Sequence, residues 1–293
     1  MSGTERYARV LRAPDVVRLL GAAVLARMPL GIDSLAIVLF VRAETGSFAR
    51  AGLVTAGFGI GAGVMTPLQG RLVDRYGHAR VLLPLAAGHA GSLGALVALG
   101  LGGASTAVLV LCGLAAGATM PSVGSVVRPL LRGLLGPRED LLPTAYALDG
   151  IAIESVFVTG PLLTALVVSV ASPAAALLVA CGFVLAGTLV LVTTPASRAW
   201  RPSASEHERH LLGALASPGV RTIVAATAPV GFAVGATEVT MTAFASDHGS
   251  RATAGASTPR RRARAGCVWR LCSRCARCRS SWPRRSSSWH PWP

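Results

Sequence analysis

Five charged side chains interrupt long apolar stretches of this chain: Arg27, Asp33, Asp149, Glu154 and Glu238. The stretches are about 20 residues or longer, the length that crosses a bilayer core as a helix. A charge at mid-depth costs about 2.5–3.5 kcal/mol on insertion scales, so each one requires a reason. Two kinds of chemistry supply one. An acid enclosed by apolar groups can take up and release a proton near neutrality, and an acid and a base at matching depth can neutralise each other. Arg27 and Glu154 lie about eleven and ten residues into their stretches, near mid-depth at about 1.5 Å per residue. They are expected to form a buried ion pair if their helices are neighbours. Asp33 is further along its stretch and is expected to face a cavity. Asp149 lies near the start of its own, one turn beyond Tyr146, and Glu238 sits in the outer part of the last stretch. For any one of these acids a structural pair or cap is the more ordinary role. His89 is expected to be a satisfied packing histidine.

The elements that position these groups follow from hydropathy. The chain is 52% hydrophobic and only 14% charged, with mean hydropathy +0.56, which places it outside soluble averages. Apolar runs fall at about 16–41, 48–69, 80–101, 105–127, 144–169, 173–192 and 220–244. Period-two alternation is absent, so a barrel is excluded and the expected class is an all-α polytopic membrane protein. The second run carries Gly57, Gly59, Gly61 and Gly63, two overlapping small-xxx-small rows suited to close helix contact in lipid. No strand precedes them, so they do not read as a dinucleotide loop. No lysine-bearing phosphate loop, HExxH or nucleophile elbow is present, and no enzyme chemistry or cofactor is expected.

All 28 basic side chains are arginine, and ten of them fall in residues 257–293 with no acid. Since the net charge is +15, the remainder carries only +5, and nucleic acid is not implied. Cys267, Cys272, Cys275 and Cys278 also sit in this tail. Their spacing lacks the two separated C-x2-C knuckles of structural zinc sites, so no metal is expected.

Between the second and third runs lies Gly70-Arg71-Leu72-Val73-Asp74-Arg75-Tyr76-Gly77-His78-Ala79-Arg80-Val81-Leu82. It reads as a charged hinge, with Gly70 and Gly77 permitting a tight turn and the arginines holding it at an anionic membrane face. Asp74, an acid among bases, is expected to find a partner. With the amino terminus inside, inner segments and helix ends hold 14 arginines and outer segments three (42, 50 and 251), which predicts a cytoplasmic amino terminus; the plasma membrane is the expected location.

This hinge resembles the loop between the second and third helices of major facilitator superfamily transporters, with Gly70, Leu72, Asp74, Arg75, Gly77, Arg80 and Leu82 matching. His78 and Ala79 replace two positions that are usually basic. The resemblance covers roughly residues 10–250. It implies an amino-terminal six-helix bundle of 3+3 inverted repeats at 1–195, a cytoplasmic linker at 196–218, and a seventh helix with its outer loop at 219–250. It makes the first and fifth helices neighbours, as an Arg27–Glu154 pair requires. It also implies transport of a small solute, with a proton as a candidate coupling ion, and an inner gate formed by Gly70, Asp74, Arg75, Gly77 and Arg80. Two departures weaken a drug-efflux reading. Gly113 stands where exporters carry an arginine in the fourth helix. Val156 replaces the first glycine of G-x-x-x-G-P, of which Gly160 and Pro161 remain.

At Ser257 the alphabet changes abruptly, and residues 251–293 form a basic Arg/Ser/Trp/Cys-rich tail expected to be disordered. The change suggests GC-rich DNA translated out of frame and a truncated transporter, short of five of twelve helices and expected to be inactive alone. The alternative is a non-transporting membrane fragment, or a half-transporter that self-associates or binds a partner. The lipid bilayer is the one partner the sequence requires.

Overall fold

The computed structural model describes residues 3–136 and 138–200, together with isolated positions between 218 and 240. Six helical stretches are long and apolar enough to cross a bilayer, one for each of the first six predicted spans. Among the described residues there is no strand. The seventh span lies mostly outside the described residues, although its described positions are helical. Glu238, residues 201–217 of the linker and the whole tail fall outside them as well.

Helix α1 (Gly3–Arg12) turns the basic lead-in into an amphipathic segment, with Val10 buried and Tyr7 and Leu11 exposed. The first span, α2 (Val16–Thr45), ends where Gly46 adopts φ 69° and returns its N–H to the Arg42 carbonyl, the left-handed closure that glycine makes at little cost. The Ser47 side chain accepts from the Arg50 N–H and so caps α3 (Phe48–Tyr76).

The hinge is shorter than its sequence suggests. Helix α3 continues through Gly70, Asp74 and Arg75 to Tyr76, and α4 (His78–Leu101) starts two residues later. Gly77 alone makes the turn, at φ 91°, with its N–H on the Val73 carbonyl. Gly70 is an ordinary helical residue with open space where a side chain would stand. Leu72 and Val73 explain this difference, because both pack against the core cluster and hold the last turns of α3 helical.

The fourth span divides into α5 (Thr106–Thr119) and α6 (Gly124–Leu135). The break spans Pro121, whose ring removes a donor and clashes with the preceding turn. After it come α7 (Leu142–Val170) and α8 (Pro173–Thr193), the latter capped by Ser172, which accepts from the Ala175 N–H. The short α9 (Pro195–Ala199) occupies the start of the expected linker. Its Ala196 and Ser197 are buried against the bundle, while Pro195, Arg198 and Ala199 remain exposed.

Helix α2 packs along α3, α7 and α8, and α3 packs closely along α5. Buried apolar side chains form two clusters. One gathers Leu19, Val73, Leu82, Leu131, Leu142 and Leu191. The other gathers Ile37, Phe40, Val54, Leu93, Leu109 and Leu177. Large apolar residues nevertheless remain exposed along the spans, among them Ile60, Leu111, Leu162, Leu166 and Val170. In water such a surface would be an aggregation liability; within a bilayer, lipid or a neighbouring helix covers it.

Candidate functional site

The intramembrane charges are drawn to α2, which presents them to two different neighbours. Arg27 and Asp33 are six residues apart, so at about 100° per residue they point about 120° apart. Arg27 is turned toward α7, where its Nη1 donates to Asp149 Oδ1 at 2.5 Å. Both side chains are enclosed, at 2% and 1% exposure. Arg128 of α6 approaches the other carboxylate oxygen, its Nε 3.6 Å from Oδ2, but its side chain is 62% exposed. Another Arg27 nitrogen, Nη2, has no hydrogen-bond partner among the described residues and lies beside Gly124 at the start of α6. The acid thus neutralises one buried cation and draws a second, solvated one to the same end of the bundle.

The expected Arg27–Glu154 pair does not form. Glu154 is exposed, and among the described residues no ion pair involves it. It follows Asp149 by five residues, which turns it about 140° away around α7. Depth matching chose the right helix and the wrong face.

Asp33 is turned toward α4 instead. Its side chain and that of His89 are both fully enclosed, with His89 Nε2 3.1 Å from Asp33 Oδ2. On its other side, His89 Nδ1 donates to the Ala116 carbonyl of α5 at 2.8 Å. Asp33 was expected to face a cavity; it is sealed inside the bundle. His89 fits its expected packing role only at Nδ1, since Nε2 addresses an acid.

The residues expected to form an inner gate lie apart from these pairs, with Gly70 and Gly77 half-buried. Asp74, Arg75 and Arg80 are exposed, and among the described residues Asp74 makes no ion pair. Arg75 instead lies over the Tyr76 ring, 5.3 Å from its centroid. The turn itself is anchored from below. His78 stacks on Trp200 with centroids 4.3 Å apart, and its Nδ1 lies 3.3 Å from Ser197 Oγ. A cavity of about 350 Å³ opens there between the start of α4 and α9. A larger one, about 570 Å³, lies between Arg9, Arg12, Arg138 and Asp140.

Glycines set how closely the helices approach. A Cβ built on Gly57 would lie 3.1 Å from the Val110 carbonyl, and one on Gly61 would strike the backbone at Leu114. Gly113 and Gly117 of α5 meet the backbone at Val54 and Phe58 in return. Gly59 and Gly63 face open space, so only one of the two predicted rows is a contact. A Cβ on Gly160, which precedes Pro161 in α7, would sit 2.6 Å from the Gly31 Cα.

Two participants were not singled out from sequence. Gln69 is fully buried, donates to the Ala118 carbonyl and accepts from the Ser122 N–H, both at 2.9 Å. It therefore satisfies the backbone freed by the Pro121 break. A lone amide in the second apolar run was the available signal. Arg128 was placed only as an inner-segment charge, and nothing in its spacing pointed to Asp149.

A family model described as Major Facilitator Superfamily matches residues 19–259. Neither the curated proteins nor the solved structures yield a match.

Proposed function

This chain belongs to the major facilitator superfamily and is a multi-pass membrane transporter by family; from that premise we propose that it moves a small solute across the plasma membrane by rocking bundles about a midplane site, with a proton as the coupling ion. The amino terminus is cytoplasmic in this reading, because the arginine excess falls on that side. Asp74 and Arg75 form the inner gate. They engage the opposite side of the transporter in one state and release it in the other, so that a change at the site becomes a movement of the bundle.

The observation that carries this reading is the family match over residues 19–259. It is supported by enclosed charges within the spans, which are costly in lipid and mark ion or substrate pathways. Asp74, exposed and without an ion pair among the described residues, adds to it, since a gate acid needs to be available to a distant partner.

The test is reconstitution of the full chain in vesicles enclosing a pH dye. Amino acids, hexoses and lipophilic cations are each added outside under an imposed pH gradient. One class should produce saturable proton movement that is lost in Asp74→Asn, an outcome that would overturn the expectation from sequence that this chain is inactive alone. If no class moves protons while circular dichroism shows an intact helical protein, the reading fails.

A further inference from the structure

The hydrogen-bond chemistry of His89 fixes a proton that no apolar packing role requires. Its Nδ1 faces the Ala116 carbonyl, an oxygen that only accepts, so Nδ1 carries a hydrogen and donates it. In neutral imidazole the other nitrogen is then a bare lone pair. That nitrogen, Nε2, stands 3.1 Å from Asp33 Oδ2, and an ionised carboxylate is likewise an acceptor only. Among the described residues neither Nε2 nor either Asp33 oxygen has a well-directed hydrogen bond, the 3.1 Å approach of Nε2 to Oδ2 included. Two acceptors held face to face in an enclosed apolar setting repel. The contact is favourable only if one more proton belongs to the pair, on Nε2 or on the carboxyl.

We propose that Asp33 and His89 together bind and occlude one proton between α2 and α4. The surroundings isolate the pair. On α2 the nearest charge along the chain, Arg27, is turned toward α7 and committed to Asp149. Helix α3 presents the Phe58 ring, 6.4 Å from the imidazole, and α5 presents the Ala116 carbonyl. Helix α8 presents Cys181, whose thiol donates to the Ala90 carbonyl at 3.6 Å and lies within electrostatic reach of Asp33. No other charged side chain among the described residues faces the pair. Loss of the proton leaves an uncompensated charge in an apolar interior, which the packed arrangement cannot hold. Because both side chains are fully enclosed, exchange with water requires α2 and α4 to part. A site closed in one conformation and open in another is what ion coupling demands, so this proposal supplies the coupling site of the transport reading and rests on that reading for its purpose.

The test uses the full chain in lipid nanodiscs with 15N-labelled histidine, titrated from pH 5 to 9, with His89→Gln assigning the His89 signals. The expected result is a protonated Nδ1 together with a shared proton at Nε2 throughout the packed conformation. At high pH that signal should be lost as the distance between spin labels at positions 43 and 101, in a cysteine-free background, increases. Asp33→Asn should abolish both changes, because an amide N–H can donate to neutral Nε2 without an extra proton. A wild-type His89 with bare Nε2 beside an ionised Asp33, in the unchanged packed conformation, overturns the proposal, as does an undiminished distance change in Asp33→Asn. Vesicle flux separates the two readings. Proton-driven flux that survives Asp33→Asn overturns the site and leaves transport standing, whereas a shared proton without any driven flux supports the site and overturns proton coupling.

Discussion

Removing the Asp149 carboxylate should strand Arg27 in the bundle, and the cost can be worked from the geometry. Two unit charges 2.5 Å apart attract by about 7 kcal/mol at an effective dielectric of about 20. Part of that is offset, because both groups were desolvated to form the pair. Breaking a buried pair by deleting one partner costs about 3–5 kcal/mol in soluble proteins. In a bilayer the unfolded chain also finds polar partners, which lowers the net figure. Asp149→Leu is therefore expected to destabilise the fold by about 3 kcal/mol, the lower end of the range measured for deleting one buried partner. The double change Arg27→Met/Asp149→Leu should recover most of the loss, since an apolar pair of similar volume needs no counter-charge. Glu154→Gln, on the exposed side of α7, should stay within about 0.5 kcal/mol of wild type. The assay is unfolding of the full chain in mixed micelles by graded SDS, followed by circular dichroism. If Asp149→Leu matches wild type, or if the double variant is no better than the single, the pair is not what holds α2 to α7.

Three further outcomes are expected from the same assay. Gly61→Val and Gly117→Val put a Cβ into opposing backbone and should cost about 1–3 kcal/mol by overpacking or prevent folding, whereas Gly59→Val and Gly63→Val, facing open space, should cost less than about 1 kcal/mol. Gly77→Ala places a side chain at φ 91° and should cost about 1–3 kcal/mol; Gly70→Ala, in mid-helix with room for a methyl, should stabilise by about 0.5–1 kcal/mol. Opposite signs at these two glycines would be seen directly as opposite shifts of the SDS midpoint. Gln69→Leu should cost about 1–3 kcal/mol, because it orphans the Ser122 N–H and the Ala118 carbonyl, and Gln69→Glu should be no milder, because it buries an acid whose second oxygen faces the Ala118 carbonyl.

The spans were legible because lipid imposes one simple requirement on them, a run of apolar residues long enough to cross. What the sequence left open was rotation. Arg27 and Glu154 share a depth, and the contact of Gly31 with Val156 and Gly160 places position 154 roughly level with position 27. The guanidinium does not reach sideways, however. Its long stem runs back toward the start of α7 and meets Asp149, which a depth argument ranks as too distant. Asp33 and His89 were misjudged for a related reason. Each was weighed alone, while their relation depends on which faces α2 and α4 turn to each other. The hinge is shorter than its charges suggest, because charge marks a solvated helix face as readily as a loop. Arg71, Asp74 and Arg75 sit on the solvated face of a helix whose other face, Leu72 and Val73, remains in the core.

The glycine contacts make a further point that no single helix carries. In a bundle of 3+3 inverted repeats the first helix corresponds to the fourth, and the second to the fifth. The meeting of the second and fourth spans at Gly57, Gly61, Gly113 and Gly117 then corresponds to the meeting of the fifth and first at Gly160 and Gly31. The same crossing occurs twice, and both times the backbones touch without side chains between them. Association in lipid has no hydrophobic drive, so close van der Waals packing has to supply it. Backbone against backbone also leaves nothing free to slide or change rotamer. The two repeats are thereby fixed to each other as a body. At the edge of that body Asp74 stays exposed and, among the described residues, makes no ion pair.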